Sequence, residues 1–162
     1  MKALEEKILK EGQVLPGNVL KVGSFLNQQV DAVFLKEMAK ETRRLFSGER
    51  ITKVLTVEAS GIAFATAVAM ELGVPMVFAK KHPSANVSGE QYSAAVYSYT
   101  HKQTYNVAVT KDYLSAADRV LITDDFLAGG NALKGLIDIA NQAGATAVAM
   151  ELGVPMVFAK KH

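Results

Sequence analysis

The stretch from Arg119 to Ala132 limits the fold more than any other part of the chain. Val120 to Thr123 reads as a buried strand, and two adjacent carboxylates, Asp124 and Asp125, follow at its C-terminal end. A small-residue turn, Ala128-Gly129-Gly130, then opens a helical pattern from Asn131 to Ala143. Strand, acids, glycine turn and helix in that order make the repeating unit of an α/β sheet, in which parallel strands are joined through helices. Ligands of such sheets bind outside the carboxyl ends of the strands. Backbone N–H groups at a helix N-terminus attract phosphate, and glycine lets it come close. Paired aspartates beside a phosphate cradle suit a hydroxyl-rich neutral group or a metal, which points to a sugar phosphate.

The rest of the chain supplies further units of the same kind. Lys2 to Glu11 carries Leu4, Ile8 and Leu9 at helical spacing and stops at Gly12. Gln13 to Gln29 reads as irregular, with a Pro16-Gly17 turn and Leu20, Val22, Phe25 and Leu26 as anchors. Asp31 is placed to cap a helix that runs to about Phe46, with Val33, Phe34, Met38 and Leu45 on its buried side. Ile51 to Val57 reads as a strand. It leads through the tight turn Glu58-Ala59-Ser60-Gly61 into a helix ending at Leu72, with Gly73 as C-cap. Met76 to Lys80 is a second strand, Lys81 to Gln91 a polar segment expected to be mobile, and Ala94–Thr100 with Thr104–Thr110 an antiparallel hairpin. Two anion-friendly turns at strand ends suit a ligand with two separated phosphate groups, over which the long segment between Lys80 and Thr100 would close.

Composition removes several classes of partner. A net charge of +2 is too small to argue for nucleic acid, and no apolar run is long enough to cross a membrane. The absence of cysteine excludes disulfides and thiolate metal sites, and the charged N-terminus lacks a signal-peptide pattern, so a cytoplasmic location is expected. His82 and His101 have no partners at ligand spacing, so no protein-held metal site is expected.

Residues 65–82 recur without a change at 145–162. Repeat architectures diverge and show three or more units, so two perfect copies with unlike flanks read as a recent duplication, recombination or assembly error. The same residues meet different demands in the two places. In the first copy Ala65 to Leu72 continues a helix; in the second they follow Gln142-Ala143-Gly144, where the sheet calls for a strand over Thr146 to Met150. Residues 151–162 are expected to pack poorly.

The run Leu121-Ile122-Thr123-Asp124-Asp125-Phe126-Leu127-Ala128 resembles the phosphoribosyl-pyrophosphate motif of the type I phosphoribosyltransferase family. Four further stretches are similar to the bacterial xanthine-specific branch in order and spacing. They are Val19–Val22 with Ser24–Gln29, Glu58–Ala63, Leu72–Pro75 with Phe78–His82, and Val96–Thr100. The resemblance implies the type I fold: a mainly parallel sheet flanked by helices, a flexible flap hairpin, and an N-terminal hood over residues 1–30 of a single domain. The core would span 31–144 and the duplicated tail 145–162. It implies purine salvage, in which the phosphoribosyl group passes from phosphoribosyl pyrophosphate to xanthine, giving xanthosine 5′-monophosphate and pyrophosphate.

Residue by residue, the resemblance implies that Ala128, Gly129, Gly130, Asn131 and Ala132 hold the 5′-phosphate, while Ala59, Ser60 and Gly61 meet the pyrophosphate. Asp124 and Asp125 would face the ribose and the positive charge that grows at its anomeric carbon. Leu20 and Asn27 would contact xanthine. Mg2+ would be carried by the substrate's pyrophosphate, and a homodimer is implied. Gly129 departs from the asparagine usual at its position but keeps the backbone N–H. Pro155-Met156 stands where the family has a Glu-Lys pair whose lysine contacts the base, so loss of part of the base clamp is expected. Lys80-Lys81 suits either a solvated strand end or a cationic contact for pyrophosphate. Two alternatives stay open: hypoxanthine or guanine as the base, and a non-catalytic nucleotide-sensing regulator of the same fold.

Overall fold

The computed structural model describes residues 1–16, 19–81, 89–98, 103–126 and 129–148. Among the described residues the α-helices are α1 (Lys2–Glu11), α2 (Ala32–Leu45), α3 (Gly61–Leu72) and α4 (Asn131–Gln142). The strands among the described residues are β1 (Gln13–Leu15), β2 (Val19–Lys21), β3 (Lys53–Val57), β4 (Met76–Ala79), β5 (Gln91–Ser98), β6 (Gln103–Thr110), β7 (Arg119–Ile122) and β8 (Thr146–Val148). The central sheet runs β4-β3-β7-β8, and every pairing within it is parallel. β5 and β6 form the expected antiparallel hairpin, stitched to the end of β4 by paired hydrogen bonds of 2.9 Å between Lys80 and Ala108. This is the expected α/β arrangement.

Alternation along the sheet divides the core into two layers, because successive strand side chains face opposite sides. Val54 and Leu121 point into a cluster with Phe25, Phe34, Met38, Phe64 and Val68, contributed by α2, α3 and the N-terminal region. Leu55, Val57, Val120 and Ile122 point into the other, with Val96, Val107, Leu136 and Ile139 from the hairpin and α4. Each fully buried side chain of this size is worth about 1.5–3 kcal/mol of transfer free energy.

The N-terminal region corrects the sequence reading in two places. Gln13–Gln29 is not irregular: β1 and β2 pair antiparallel, and a π-helical turn, Gly23–Asn27, buries Phe25 and Leu26. Val33, expected on the buried side of α2, is 74% exposed; Leu35, Ala39 and Thr42 join Phe34 and Met38 on that side instead. The cap itself is as expected, with Asp31 accepting from the Phe34 N–H at 3.0 Å. Lys7 ties α1 to it, reaching Asp31 at 2.9 Å and Glu11 at 3.1 Å, with its ammonium over the Phe25 and Phe34 rings.

The duplicated segment takes two forms, as anticipated. Residues 65–68 are helical within α3, and residues 146–148 are strand β8 beside β7. The expected extension of this strand to Met150, the poor packing of 151–162, and the mobility of the segment around 82–88 fall outside the described residues, as do Gly17 and Thr100.

Candidate functional site

β3 and β7 are neighbours in the sheet, so the turns that follow them open on the same edge. The second turn carries the acid pair. Asp125 is buried to 9% exposure, and its Oδ1 accepts from the Ser60 hydroxyl at 2.9 Å, which joins the two turns directly. The Asp125 N–H donates to Asp124 Oδ1 at 3.0 Å. The Asp124 carboxyl is pushed up to about 8, first by burial, then by the Asp125 carboxylate and a hydrogen bond shared with it. The Asp125 N–H and the Lys81 ammonium pull it the other way. Burial and the neighbouring carboxylate both disfavour charge on Asp124, as expected for two carboxyl groups held together away from water.

Close packing under the pair depends on glycine. A Cβ added to Gly61 would stand 2.3 Å from Thr56 Oγ1 and 2.9 Å from Asp124 Oδ1. The absent side chain thus lets α3 begin directly against the acid. Thr56 and Thr123, at the ends of β3 and β7, are buried, and among the described residues theirs are the buried hydroxyls with no hydrogen-bond partner.

α4 follows the pair in the chain. Gly130 caps it at φ +73°, a left-handed conformation that favours glycine. The N–H groups of the first turn, from Asn131 and Ala132 onward, have no intrahelical acceptor and are the anion-binding end of the helix. Asn131 Nδ2 donates to the Tyr97 carbonyl at 3.2 Å, tying this end to the hairpin. Gly129 is exposed just before the cap; Ala128 lies outside the described residues.

A cationic element that the sequence left undecided belongs to this edge. The Lys81 N–H donates to Glu58 Oε1 at 2.6 Å, and the Lys81 ammonium lies 5.3 Å from the centre of the Tyr105 ring. Its charge lowers the Asp124 carboxyl, against the larger upward effect of burial. Tyr105 is raised by burial first and by Asp124 second. Nothing in the spacing of Tyr105 marked it, because its partner lies beyond the end of β4.

Residues of the N-terminal region and α2 meet Asp125 on another side. Val22, Phe25, Leu26 and Met38 line an apolar recess closed by Asp125 and Phe126. Leu20 is half-buried against the same cluster, and Asn27 is exposed at the end of the π-helical turn. Ala59, on the first turn, is exposed. The Glu58–Ala59 peptide preceding it is cis.

A family model described as phosphoribosyl transferase domain matches residues 24–162. The xanthine phosphoribosyltransferase of Lactobacillus johnsonii is 53% identical over 161 residues, 99% of this chain and 82% of that protein. The enzyme of the same name from Lachnoclostridium phytofermentans is 53% identical over 146 residues, covering 90% of this chain and 75% of its own. Among solved structures, the adenine phosphoribosyltransferase of Giardia lamblia in complex with 9-deazaadenine superposes with a TM-score of 0.75 at 23% identity, over 89% of this chain and 81% of that one. The Trypanosoma brucei adenine phosphoribosyl transferase gives 0.72 at 19%, over 90% and 66%. At such identities these structures attest the fold.

Proposed function

Because the chain belongs to the phosphoribosyltransferase family, we propose that it is a purine-salvage enzyme that joins xanthine to phosphoribosyl pyrophosphate. The observation that carries the reading is the acid pair Asp124–Asp125, at the C-terminal end of β7 ahead of α4 and bonded through Ser60 to the turn after β3.

In this reaction a ring nitrogen of the base bonds to the anomeric carbon while the bond from that carbon to the pyrophosphate oxygen breaks. Positive charge grows on the ribose ring as the leaving group departs. A fixed carboxylate beneath the ring stabilises that charge more than the ground state, which lowers the barrier. Asp124 and Asp125 are assigned this role. The α4 end, with Gly129, Gly130, Asn131 and Ala132 and with Ala128 before them, is assigned the 5′-phosphate. Ala59, Ser60 and Gly61 are assigned the pyrophosphate, with the Lys81 ammonium supplying charge on the same side. Leu20 and Asn27 are assigned the base, on the hood that the apolar recess joins to Asp125.

Magnesium is assigned to the substrate, bound to the pyrophosphate on arrival. Among the described residues no three His, Asp or Glu side chains converge on one point. The acid pair offers the hard oxygen donors this ion takes, but only as outer partners of a ligand-borne ion. Among the described residues no helix is long and apolar enough to cross a membrane. The enzyme is assigned to the cytoplasm as a homodimer. One domain is assigned to the chain, with 1–30 as hood and 31–144 as core.

A base panel tests the substrate. With phosphoribosyl pyrophosphate and magnesium, xanthine should give a kcat/KM well above those of hypoxanthine and guanine. Equal or reversed preference would move the assignment to another purine.

A further inference from the structure

We propose that Tyr105 is a positioning residue that holds the Lys81 ammonium over the pyrophosphate side of the site, and so makes the β5–β6 hairpin part of the leaving-group subsite. The inference rests on the transferase reading, since it concerns the pyrophosphate half of that site.

Three contacts converge on Lys81. Its N–H is fixed to Glu58 Oε1 at 2.6 Å, which anchors its backbone to the turn after β3. Its neighbour Lys80 exchanges two hydrogen bonds of 2.9 Å with Ala108, so the chain here is locked to β6 on its other side. Its ammonium then lies 5.3 Å from the centre of the Tyr105 ring, three residues along the same strand. A lysine on a free four-carbon stem loses much of its charge advantage to rotamer freedom. Attraction to the face of an aromatic ring restricts that freedom without neutralising the charge, as a carboxylate partner would. The charge thus remains available to an anionic ligand. Tyr105 is half-buried and pairs in register with the buried Val96, so its ring has a fixed seat. Its hydroxyl is held above the usual phenol range first by burial and then by Asp124, which agrees with a phenol facing the acid side of the cleft.

The ring, rather than the hydroxyl, is the working part, and this separates positioning from proton transfer. The test measures binding of two probes, magnesium pyrophosphate and ribose 5-phosphate, by calorimetry on the full chain. Tyr105→Leu should weaken pyrophosphate about 5-fold to 10-fold, the cost of a partly desolvated cation–π contact. Tyr105→Phe should stay within about 2-fold of wild type. Ribose 5-phosphate affinity should be unchanged in both, which also shows that the variants are folded. In a Lys81→Met background Tyr105→Leu should have almost no further effect, because the two residues act as a unit. Additive losses, or a loss in Tyr105→Phe equal to that in Tyr105→Leu, would overturn the inference. A wild-type chain that binds neither probe would instead overturn the transferase reading beneath it.

Discussion

The turns after β3 and β7 hold equivalent places on neighbouring parallel strands, yet they use their acids in opposite ways. Glu58, at the head of the first turn, has its carboxylate engaged by a backbone N–H, that of Lys81. Its charge goes into holding the edge of the sheet together. Asp124 and Asp125, at the head of the second, are held together by the Asp125 N–H, and burial with the adjacent carboxylate pushes the Asp124 carboxyl up. The first turn therefore contributes shape and the second contributes charge. Gly61 and Ser60 are the points where shape acts on charge, one by leaving room for Asp124 and the other by bonding Asp125. A pair of acids kept strained by burial is destabilising in itself, and such strain is characteristic of sites built for a ligand.

The largest effects should come from the charge-bearing turn. Asp124→Asn and Asp125→Asn should each lower kcat/KM by about 10²–10³-fold, the scale seen when one preorganised electrostatic partner is lost. Glu58→Gln, which can still accept from the Lys81 N–H, should cost far less. Steady-state rates on the three variants would break the comparison if Glu58→Gln proved as damaging as the aspartate changes.

Shape comes next. In Gly61→Ala a methyl group must fit where Thr56 Oγ1 and Asp124 Oδ1 leave 2.3 Å and 2.9 Å. Urea unfolding should show a loss of about 1–3 kcal/mol, as for overpacking elsewhere. Gly61→Ala combined with Thr56→Ser should remain destabilised, because the hydroxyl that clashes is kept.

Asp124 also predicts how stability depends on pH. Its carboxyl rises from 3.8 in the unfolded chain to about 8 in the fold, so between these values the folded state holds the extra proton. Stability from this group should therefore be full below pH 4 and decline as pH rises toward 8. Asp124→Asn removes the decline. Melting temperatures taken across that range should show the variant gaining on wild type at pH 8 and not at pH 4. Parallel curves would show that the pair is not strained.

The smallest effect should be that of Ser60→Ala, which removes one hydrogen bond to a charged group and leaves both turns in place. About a tenfold loss in kcat/KM is expected, with KM for pyrophosphate-bearing substrate moving less than kcat. A loss confined to KM would make Ser60 a ligand contact alone.

Local pattern made the central strand, the glycine turns and the helices legible, because period and caps are written in adjacent residues. It also set the two copies of one segment apart. Ala65 and Val68 are fully buried on a helix, whereas Ala147 and Val148 lie beside Val120 and Leu121 in the sheet. Ala/Val-rich sequence permits both, and the preceding Gly144 and the free edge of β7 decide. What stayed hidden depends on contacts between distant residues. Ser60 with Asp125, Gly61 with Asp124 and Lys81 with Tyr105 each join two elements, and no spacing along one element encodes them. Val33 was misplaced for the same reason: helical spacing offers it to the core, but α2 turns Leu35 and Ala39 inward instead.

The most direct measurement follows xanthine, phosphoribosyl pyrophosphate and magnesium to product with wild type and Asp125→Asn side by side. Wild type should release xanthosine 5′-monophosphate and pyrophosphate in equal amounts, and the variant should fall short by about 10²–10³-fold. Wild-type product no higher than that of the variant would contradict the assignment of this acid pair to catalysis.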